Sequence, residues 1–453
     1  MILSQINSEL KNSFVIKILS YFSIFLFIFS SYFKTKTLAP WNDEIVSLIS
    51  NLNFYYNNFN FIGPFGTEYF YSYSPKLTAG PISSLGGIIG WLFSHDIYVL
   101  RFSNLIYLIF LSLSLSIFVF KNLKLNVKLN FLVLTALIIF SLTNTSWWYS
   151  VLYLLPETIC AVIFVNSVLL FGTNRKVSLF LMSLSVFFGD FLTILMFLAF
   201  YLATIYYEKS LINILKDVPF AILPLVLWIY LVLTFSEYNI SQYLVEYYEH
   251  YFEHPSGGEL NFSLSSIINN FTSSEVSDWG VSDFLRVLIA PILFIYVTNK
   301  IKESPLDYKL GKLQITLPIL FIYLWFWLLS PAKSIIYSGL FTTVILIFNT
   351  YFLLFAKFSN KVSFFMSLII YSFFLSTPYL VVFYLILSIS IMFSKKIRVG
   401  KNVIVISILL FIVFNQLNVV YEMFELDTFE VSLKSCIEFL EDTKCLEDYY
   451  NKQ

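Results

Sequence analysis

Two adjacent carboxylates, Asp43 and Glu44, lie near the start of the chain in the segment LAPWNDEI at positions 38–45. They follow an apolar run at 14–33 that predicts a membrane-spanning helix. Charged side chains are costly near hydrocarbon and often mark function there. Asp43 and Glu44 are therefore candidates for proton transfer from a substrate. The alternative interpretation is that both acids only favour the first turn of a helix, through its dipole.

Two basic residues follow in a similar setting. Lys76 is the lone cation in the stretch at 71–94. Arg101 lies about one turn inside the second predicted span, where an unpaired charge would be unfavourable. Arg101 therefore needs either an acid, for which Asp96 and Glu157 are available, or a bound anion.

The composition predicts that most of the protein surface faces lipid. Only 12% of the residues are charged, 58% are hydrophobic and the mean hydropathy is +0.78. Soluble domains carry about 25% charged residues. The 453 residues accommodate roughly a dozen spans of about 20 residues each. A net charge of zero gives no indication of a nucleic-acid partner.

Charge sorting predicts the topology. Apolar runs indicate thirteen spans, at 14–33, 97–120, 129–147, 157–171, 177–190, 191–207, 218–235, 284–299, 313–330, 335–356, 362–376, 379–394 and 402–420. With a cytoplasmic N-terminus, the inner loops hold 19 of the 28 basic residues and five of the 28 acids, as the positive-inside rule requires. This sorting depends on a break at Gly189-Asp190 that divides 177–207 into two short helices. The C-terminus is then outside.

The topology places three longer segments on the outer side, at 34–96, 236–283 and 421–453. Residues 1–420 form the predicted transmembrane region, and 421–453 form a short outer tail. Apolar residues at helical spacing from Asn42 onward predict an amphipathic helix at the membrane surface in the first segment. Cys436 and Cys445 in the tail can form a disulfide outside the cell or remain reduced.

These features resemble, in their order, the GT-C class of integral-membrane glycosyltransferases. The matching elements are Asp43-Glu44, Pro75-Lys76-Leu77 with Gly80-Pro81, Leu92-Phe93-Ser94, Arg101, and Pro331-Ala332-Lys333 followed by Tyr337. Ser94 stands where glycine is common in the class. The class uses polyprenyl-phosphate sugars and includes protein mannosyltransferases, aminoarabinose transferases and arabinosyltransferases.

The resemblance implies an all-α, polytopic transmembrane bundle of about 13 spans that moves a sugar from a polyprenyl-phosphate donor to an acceptor hydroxyl on the outer face. It implies Asp43 as general base assisted by Glu44, Lys76, Arg101 and Lys333 as ligands of the donor phosphate, and Glu157 and Tyr337 as acceptor-binding residues. The expected partners are the lipid-linked sugar, membrane lipids and a glycan, lipid or protein acceptor. The membrane is a bacterial inner or an archaeal plasma membrane. A divalent metal ion is an open alternative for the cofactor.

Two other functional classes remain as alternatives. A transporter or flippase for lipid-linked saccharides would place charges near the bilayer midplane and show internal repeats, whereas here the charges gather at the outer side. An O-antigen-type polymerase or ligase would favour a large late loop with arginine and histidine. The segment 236–283 carries His250 and His254 and is followed by Arg286, so it leaves this alternative open.

The run from His250 to His254 also matches H-x-x-E-H, an inverted zinc-protease pattern. Pro255 ends the helix directly, and the loop is too short for a peptidase domain. Five tryptophans have two interpretations as well: Trp91, Trp147, Trp148, Trp325 and Trp327. They are candidates to line a groove for the polyprenyl chain, or to anchor a helix at the membrane interface.

Overall fold

The structure, a computed structural model, describes residues 14–37, 156–188, 191–208, 210–235, 281–303, 310–328 and 338–374, with the single positions 109, 241, 276, 410, 413, 414, 417 and 421. The helices in these ranges are α1 (Phe14–Thr37), α2 (Pro156–Phe171), α3 (Arg175–Phe188), α4 (Phe191–Tyr207), α5 (Leu211–Phe235), α6 (Val281–Phe284), α7 (Ala290–Lys300), α8 (Lys312–Leu328), α9 (Gly339–Phe355) and α10 (Lys361–Ser372). A π-helical turn, Leu285–Ile289, joins α6 to α7. Two short strands, β1 (Ile301–Glu303) and β2 (Lys357–Phe358), pair antiparallel.

The helical fold class is confirmed, and so is the division of the run at 177–207. Helix α3 ends at Phe188 and α4 begins at Phe191, on either side of the predicted break. Among the residues that the structure describes, no helix satisfies both the length and the hydropathy expected of a membrane-spanning segment. The count of thirteen spans and the division of the chain at residue 420 stay predictions.

One end of the helical assembly gathers connections that the charge pattern assigned to the same side of the membrane. Arg175, at the start of α3, donates a hydrogen bond of 2.5 Å to Glu208, directly after α4. Gln314, in the first turn of α8, donates to the Thr204 hydroxyl near the end of α4, at 2.8 Å. The α2–α3, α4–α5 and α7–α8 connections therefore lie together, at what we call the basic end.

The two strands bring a fourth connection, between α9 and α10, to the basic end. Ile301 pairs with Phe358, and the Ser359 amide donates to the Lys300 carbonyl at 2.9 Å. The Lys312 ammonium donates to the carbonyls of Asn299 and Ile301, both at 2.9 Å, and so ties the start of α8 to β1. This agreement supports the predicted sidedness of all four loops.

The core centres on α2 and α9, whose sequences are apolar on all sides. Every residue at 160–171 and at 338–353 is buried, as expected for helices without a polar face. Helix α9 packs against α2, α7, α8 and α10. Its polar side chain Asn349 is satisfied across the contact with α10. The Asn349 amide donates to the Ser367 carbonyl at 2.9 Å, and the Ser367 hydroxyl donates to Asn349 at 2.7 Å.

The outer helices reverse the pattern of a soluble protein, because their large apolar side chains face outward. On α1, Tyr21 and Phe25 are 63% and 60% exposed, while the buried side chains include four serines, Ser20, Ser23, Ser30 and Ser31. Helix α5 shows the same arrangement, with Ile212, Leu215, Leu223, Val226, Leu227 and Tyr230 all exposed. Small residues inside and large apolar residues outside are typical of helices packed in hydrocarbon.

Helix α5 begins seven residues earlier than the predicted span at 218–235. Lys216 and Asp217, expected in a loop, are helical. The physical reason is the ion pair between Asp217 and Arg175, which compensates a buried carboxylate within the second turn of the helix.

Candidate functional site

The residues predicted to carry chemistry fall almost entirely in undescribed segments. Asp43, Glu44, Lys76, Arg101, Lys333 and Tyr337 lie outside the described residues, as do His250, His254, Cys436 and Cys445. Glu157 is helical and lies in the first turn of α2. The roles assigned to these residues therefore stay predictions.

The directions of the helices show at which end of the assembly the predicted site residues begin or interrupt the described chain. Helices α2, α7 and α9 each run toward the basic end, so α2, α6 and α9 begin at the opposite end. Helix α8 starts at the basic end and finishes at the opposite end. The start of α2, the end of α8 and the start of α9 therefore lie on one side. The first carries Glu157, and the other two flank positions 329–337. This agrees with the predicted common side of Glu157, Lys333 and Tyr337.

A buried arginine lies at this opposite end, and the structure pairs it with an acid. The Arg286 side chain is 2% exposed, and its NH2 atom lies 2.6 Å from Asp283 Oδ1, one turn earlier. The Asp283 side chain is 26% exposed. A buried guanidinium requires such a partner, and Asp283 in turn keeps contact with the surface. The pair is net neutral and lies just beneath the surface of this end.

The backbone beneath Arg286 is a π-helical turn, and Pro291 accounts for it. Proline has no N–H and its ring collides with the carbonyl four residues earlier in a regular α-helix. The turn at Leu285–Ile289 widens instead, and the Ala290 amide donates to the Leu285 carbonyl, five residues back. The Tyr323 hydroxyl of α8 donates to the Leu288 carbonyl at 3.2 Å. Turns of this kind occur frequently at functional sites.

Aromatic side chains pack behind this turn. The Tyr323 ring contacts Trp327 and Phe341, with ring centroids 6.5 Å and 6.2 Å apart. Trp325 and Trp327 are 8% and 2% exposed. Both tryptophans are therefore core residues, and the expectation that they line an open groove or anchor the helix at an exposed interface is wrong for these two. Both belong to the main hydrophobic cluster, and α4, α7 and α9 pack against α8.

Three charged residues at the basic end, Arg175, Glu208 and Asp217, form a separate cluster of paired charges. The Arg175 Nε donates to Asp217 at 2.7 Å, and the same guanidinium bonds to Glu208. The hydrogen bond from Arg175 holds the pKa of the Glu208 carboxyl below its usual value, and a second bond from Asn213 acts in the same direction. Because each acid is engaged by Arg175, this cluster joins three helices and offers little free charge to a ligand.

The described residues include a buried cysteine and no candidate metal site. The Cys160 thiol donates to the Ser185 carbonyl at 3.3 Å and lies between α2 and α3. Within the ranges that the structure describes, no three His, Cys, Asp or Glu side chains converge on a possible metal position. Since Asp43 and Glu44 lie elsewhere in the chain, the divalent-metal prediction is untested.

A guanidinium is planar and is able to meet two phosphate oxygens at once. The Arg286 guanidinium is engaged by Asp283 and its side chain is 2% exposed, so an anion at this end would share it with the carboxylate. The sequence contained a signal for this arrangement that composition did not show: an acid and an arginine three residues apart, followed by a proline, in D-x-x-R-x4-P at 283–291.

Comparison with known proteins identifies the fold. No protein-family model matches the chain, and no curated protein sequence does. Similar solved structures include ArnT from Cupriavidus metallidurans bound to undecaprenyl phosphate, with a TM-score of 0.52 and 11% identity over 90% of this chain and 77% of ArnT. The apo state of the same protein aligns with a TM-score of 0.46 and 12% identity, over 88% of this chain and 75% of ArnT. The GT-C resemblance predicted from the sequence is confirmed at the level of the fold.

Proposed function

We propose that this protein is an integral-membrane glycosyltransferase that transfers a sugar from a polyprenyl-phosphate donor to an acceptor hydroxyl on the outer face of the membrane. The single observation that carries the proposal is the fold shared with ArnT over 90% of the chain, since that ArnT structure holds undecaprenyl phosphate. The ordered motifs from Asp43 to Tyr337 support it independently, because they are features of the sequence and not of the fold.

The outward-facing side chains support a location in the membrane. Exposed aromatic and aliphatic residues cover α1 and α5, whereas serines of α1 are buried. Water would disfavour such a surface, because each buried Å² of apolar area contributes roughly 25 cal/mol. Lipid removes this cost, so this surface supports the proposed multi-pass location, which we assign to a bacterial inner or archaeal plasma membrane.

In the proposed reaction, the acceptor oxygen attacks the anomeric carbon of the sugar as Asp43 accepts the hydroxyl proton. The bond between this carbon and the phosphate oxygen breaks, and its electron pair leaves with the polyprenyl phosphate. A single displacement of this kind inverts the anomeric centre. General-base catalysis by Asp43 contributes about 10²–10⁴-fold to the rate, and Glu44 orients the base or the acceptor.

Cations placed in advance stabilise the charge that develops on the leaving phosphate. Lys76, Arg101 and Lys333 are the predicted ligands, and we add Arg286, because it is buried at the end of the assembly to which these residues are assigned. Glu157 and Tyr337 are proposed to position the acceptor.

A cell-based experiment tests the proposal. Cells lacking the protein are complemented with the wild type, with Asp43→Asn or with Glu208→Gln, and their surface glycans are compared by mass spectrometry. We expect a glycan change on deletion that the wild type and Glu208→Gln reverse and Asp43→Asn does not. Glu208→Gln is a matched control, because it removes a carboxylate at the basic end. Full restoration by Asp43→Asn at equal membrane abundance would exclude Asp43 as the base.

A further inference from the structure

Four lysines at the basic end surround the two-stranded ribbon, and we call them the lysine cluster: Lys300, Lys302, Lys357 and Lys361. All four are exposed. The strand register opposes Ile301 and Glu303 to Phe358 and Lys357, so Lys302 is the extra residue of a bulge. The pairing therefore fixes four positive charges from two separate parts of the chain on one small surface.

Exposed apolar side chains lie directly beside the lysine cluster. Ile292 and Tyr296 precede Lys300 by two turns and one turn on α7, so the three share one face of the helix. Ile292 is 56% and Tyr296 is 38% exposed. The Lys300 ammonium lies 5.9 Å from the centre of the Tyr296 ring. Val362, on the neighbouring helix α10, is 41% exposed. The surface thus changes from apolar to cationic along the helix axis.

The sequence around the cluster is poor in acids. Glu303, opposite Lys357 in the register, is the single acid in the segments 292–303 and 356–362. Two acids, Glu208 and Asp217, lie elsewhere at the basic end, near the starts of α3 and α5. Lys176 and Lys216 there are sequence neighbours of Arg175 and Asp217, and Arg175 binds both acids. Lys312, nearby at the start of α8, donates to two backbone carbonyls and is not counted in the cluster.

We propose that the lysine cluster is a binding surface for anionic phospholipids, with the phosphate headgroups on the lysines and the acyl chains along Ile292, Tyr296 and Val362. An amphipathic occupant matches the surface, because its anionic part meets the cations and its hydrocarbon meets the adjacent apolar stripe. Each lysine near a membrane surface contributes about 1 kcal/mol of attraction to anionic lipid. This inference rests on the proposed membrane location and concerns the side opposite to sugar transfer.

Lipid retention in nanodiscs tests the proposal. The full chain is reconstituted into phosphatidylcholine with a rising fraction of phosphatidylglycerol, and the lipids that stay bound are identified by native mass spectrometry. For Lys300→Gln/Lys302→Gln we expect roughly 30-fold weaker retention of phosphatidylglycerol, from the loss of two lysines. The matched variant Lys176→Gln/Lys216→Gln removes the same charge from the same end and should change retention far less.

Two results would overturn the inference. One is wild-type retention of phosphatidylglycerol by Lys300→Gln/Lys302→Gln. The other is an equal loss in both variants, which would mean that anionic lipid responds to total charge rather than to this surface. Either result leaves the glycosyltransferase proposal standing. Failure of the wild-type chain to enter a bilayer would instead refute the membrane location, and the lipid surface with it.

Discussion

Replacing Arg286 with methionine separates two roles of this side chain, stabilising the fold and binding the donor phosphate. The Arg286 side chain is 2% exposed and lies 2.6 Å from Asp283. Removing one member of a buried ion pair costs about 3–5 kcal/mol of stability. Because the Asp283 side chain is 26% exposed, water stabilises the carboxylate that remains. We therefore expect the lower value, about 3 kcal/mol, in the free energy of unfolding of Arg286→Met.

The variant Asp283→Asn/Arg286→Met removes both charges and should recover most of that stability, since it leaves no uncompensated carboxylate. Donor affinity should not recover, because the guanidinium is absent from both variants. Loss of a hydrogen bond to a charged group costs about 1.5–3 kcal/mol, or roughly 10- to 150-fold in affinity. Thermal unfolding and titration with undecaprenyl phosphate in nanodiscs measure the two effects. Recovery of donor affinity together with stability would refute the assignment of Arg286 to the phosphate site.

Two further predictions concern the basic end. Gly311→Ala should destabilise the protein by about 1 kcal/mol, the low end for added bulk. An added Cβ would lie 2.0 Å from the Tyr207 ring, and this ring is 45% exposed, so it can move aside. Thermal unfolding should show a smaller loss when Tyr207→Ala is present as well. An equal loss in both backgrounds would contradict that contact as the cause. Glu208 should stabilise the protein above its unfolded pKa of about 4.3 and lose this effect as the pH falls through its lowered folded pKa. The acid limb of a stability–pH curve should therefore flatten in Glu208→Gln, and an unchanged limb would contradict the role of the Arg175 bond.

Charge patterning predicted more of the fold than hydropathy alone. The apolar run at 177–207 reads as one helix, and only the need to keep Glu208 beside the other inner residues divided it at Gly189-Asp190. The structure places α3 and α4 on either side of that point. Arg175 contacts Glu208 across two loops. Loops that the charge pattern assigned to the same side of the membrane are therefore in direct contact.

The candidate site was less accessible to sequence reasoning, for physical reasons. The π-helical turn depends on Pro291 and on a hydroxyl from α8, Tyr323. A contact between residues 35 positions apart leaves no local pattern. Trp325 and Trp327 were misassigned for a related reason. An aromatic side chain near the end of a span is compatible with an interface, and only the packing of neighbouring helices places these two in the core.

The central claim is that the protein releases polyprenyl phosphate when it transfers a sugar. The most direct measurement incubates the purified chain in nanodiscs with a membrane lipid extract from its own cells and follows undecaprenyl phosphate and its glycosylated form by mass spectrometry. We expect the glycosylated form to be consumed and free undecaprenyl phosphate to accumulate, with no change for Asp43→Asn. If the glycosylated lipid persists with folded wild-type protein, or Asp43→Asn consumes it at the wild-type rate, the proposed mechanism is contradicted.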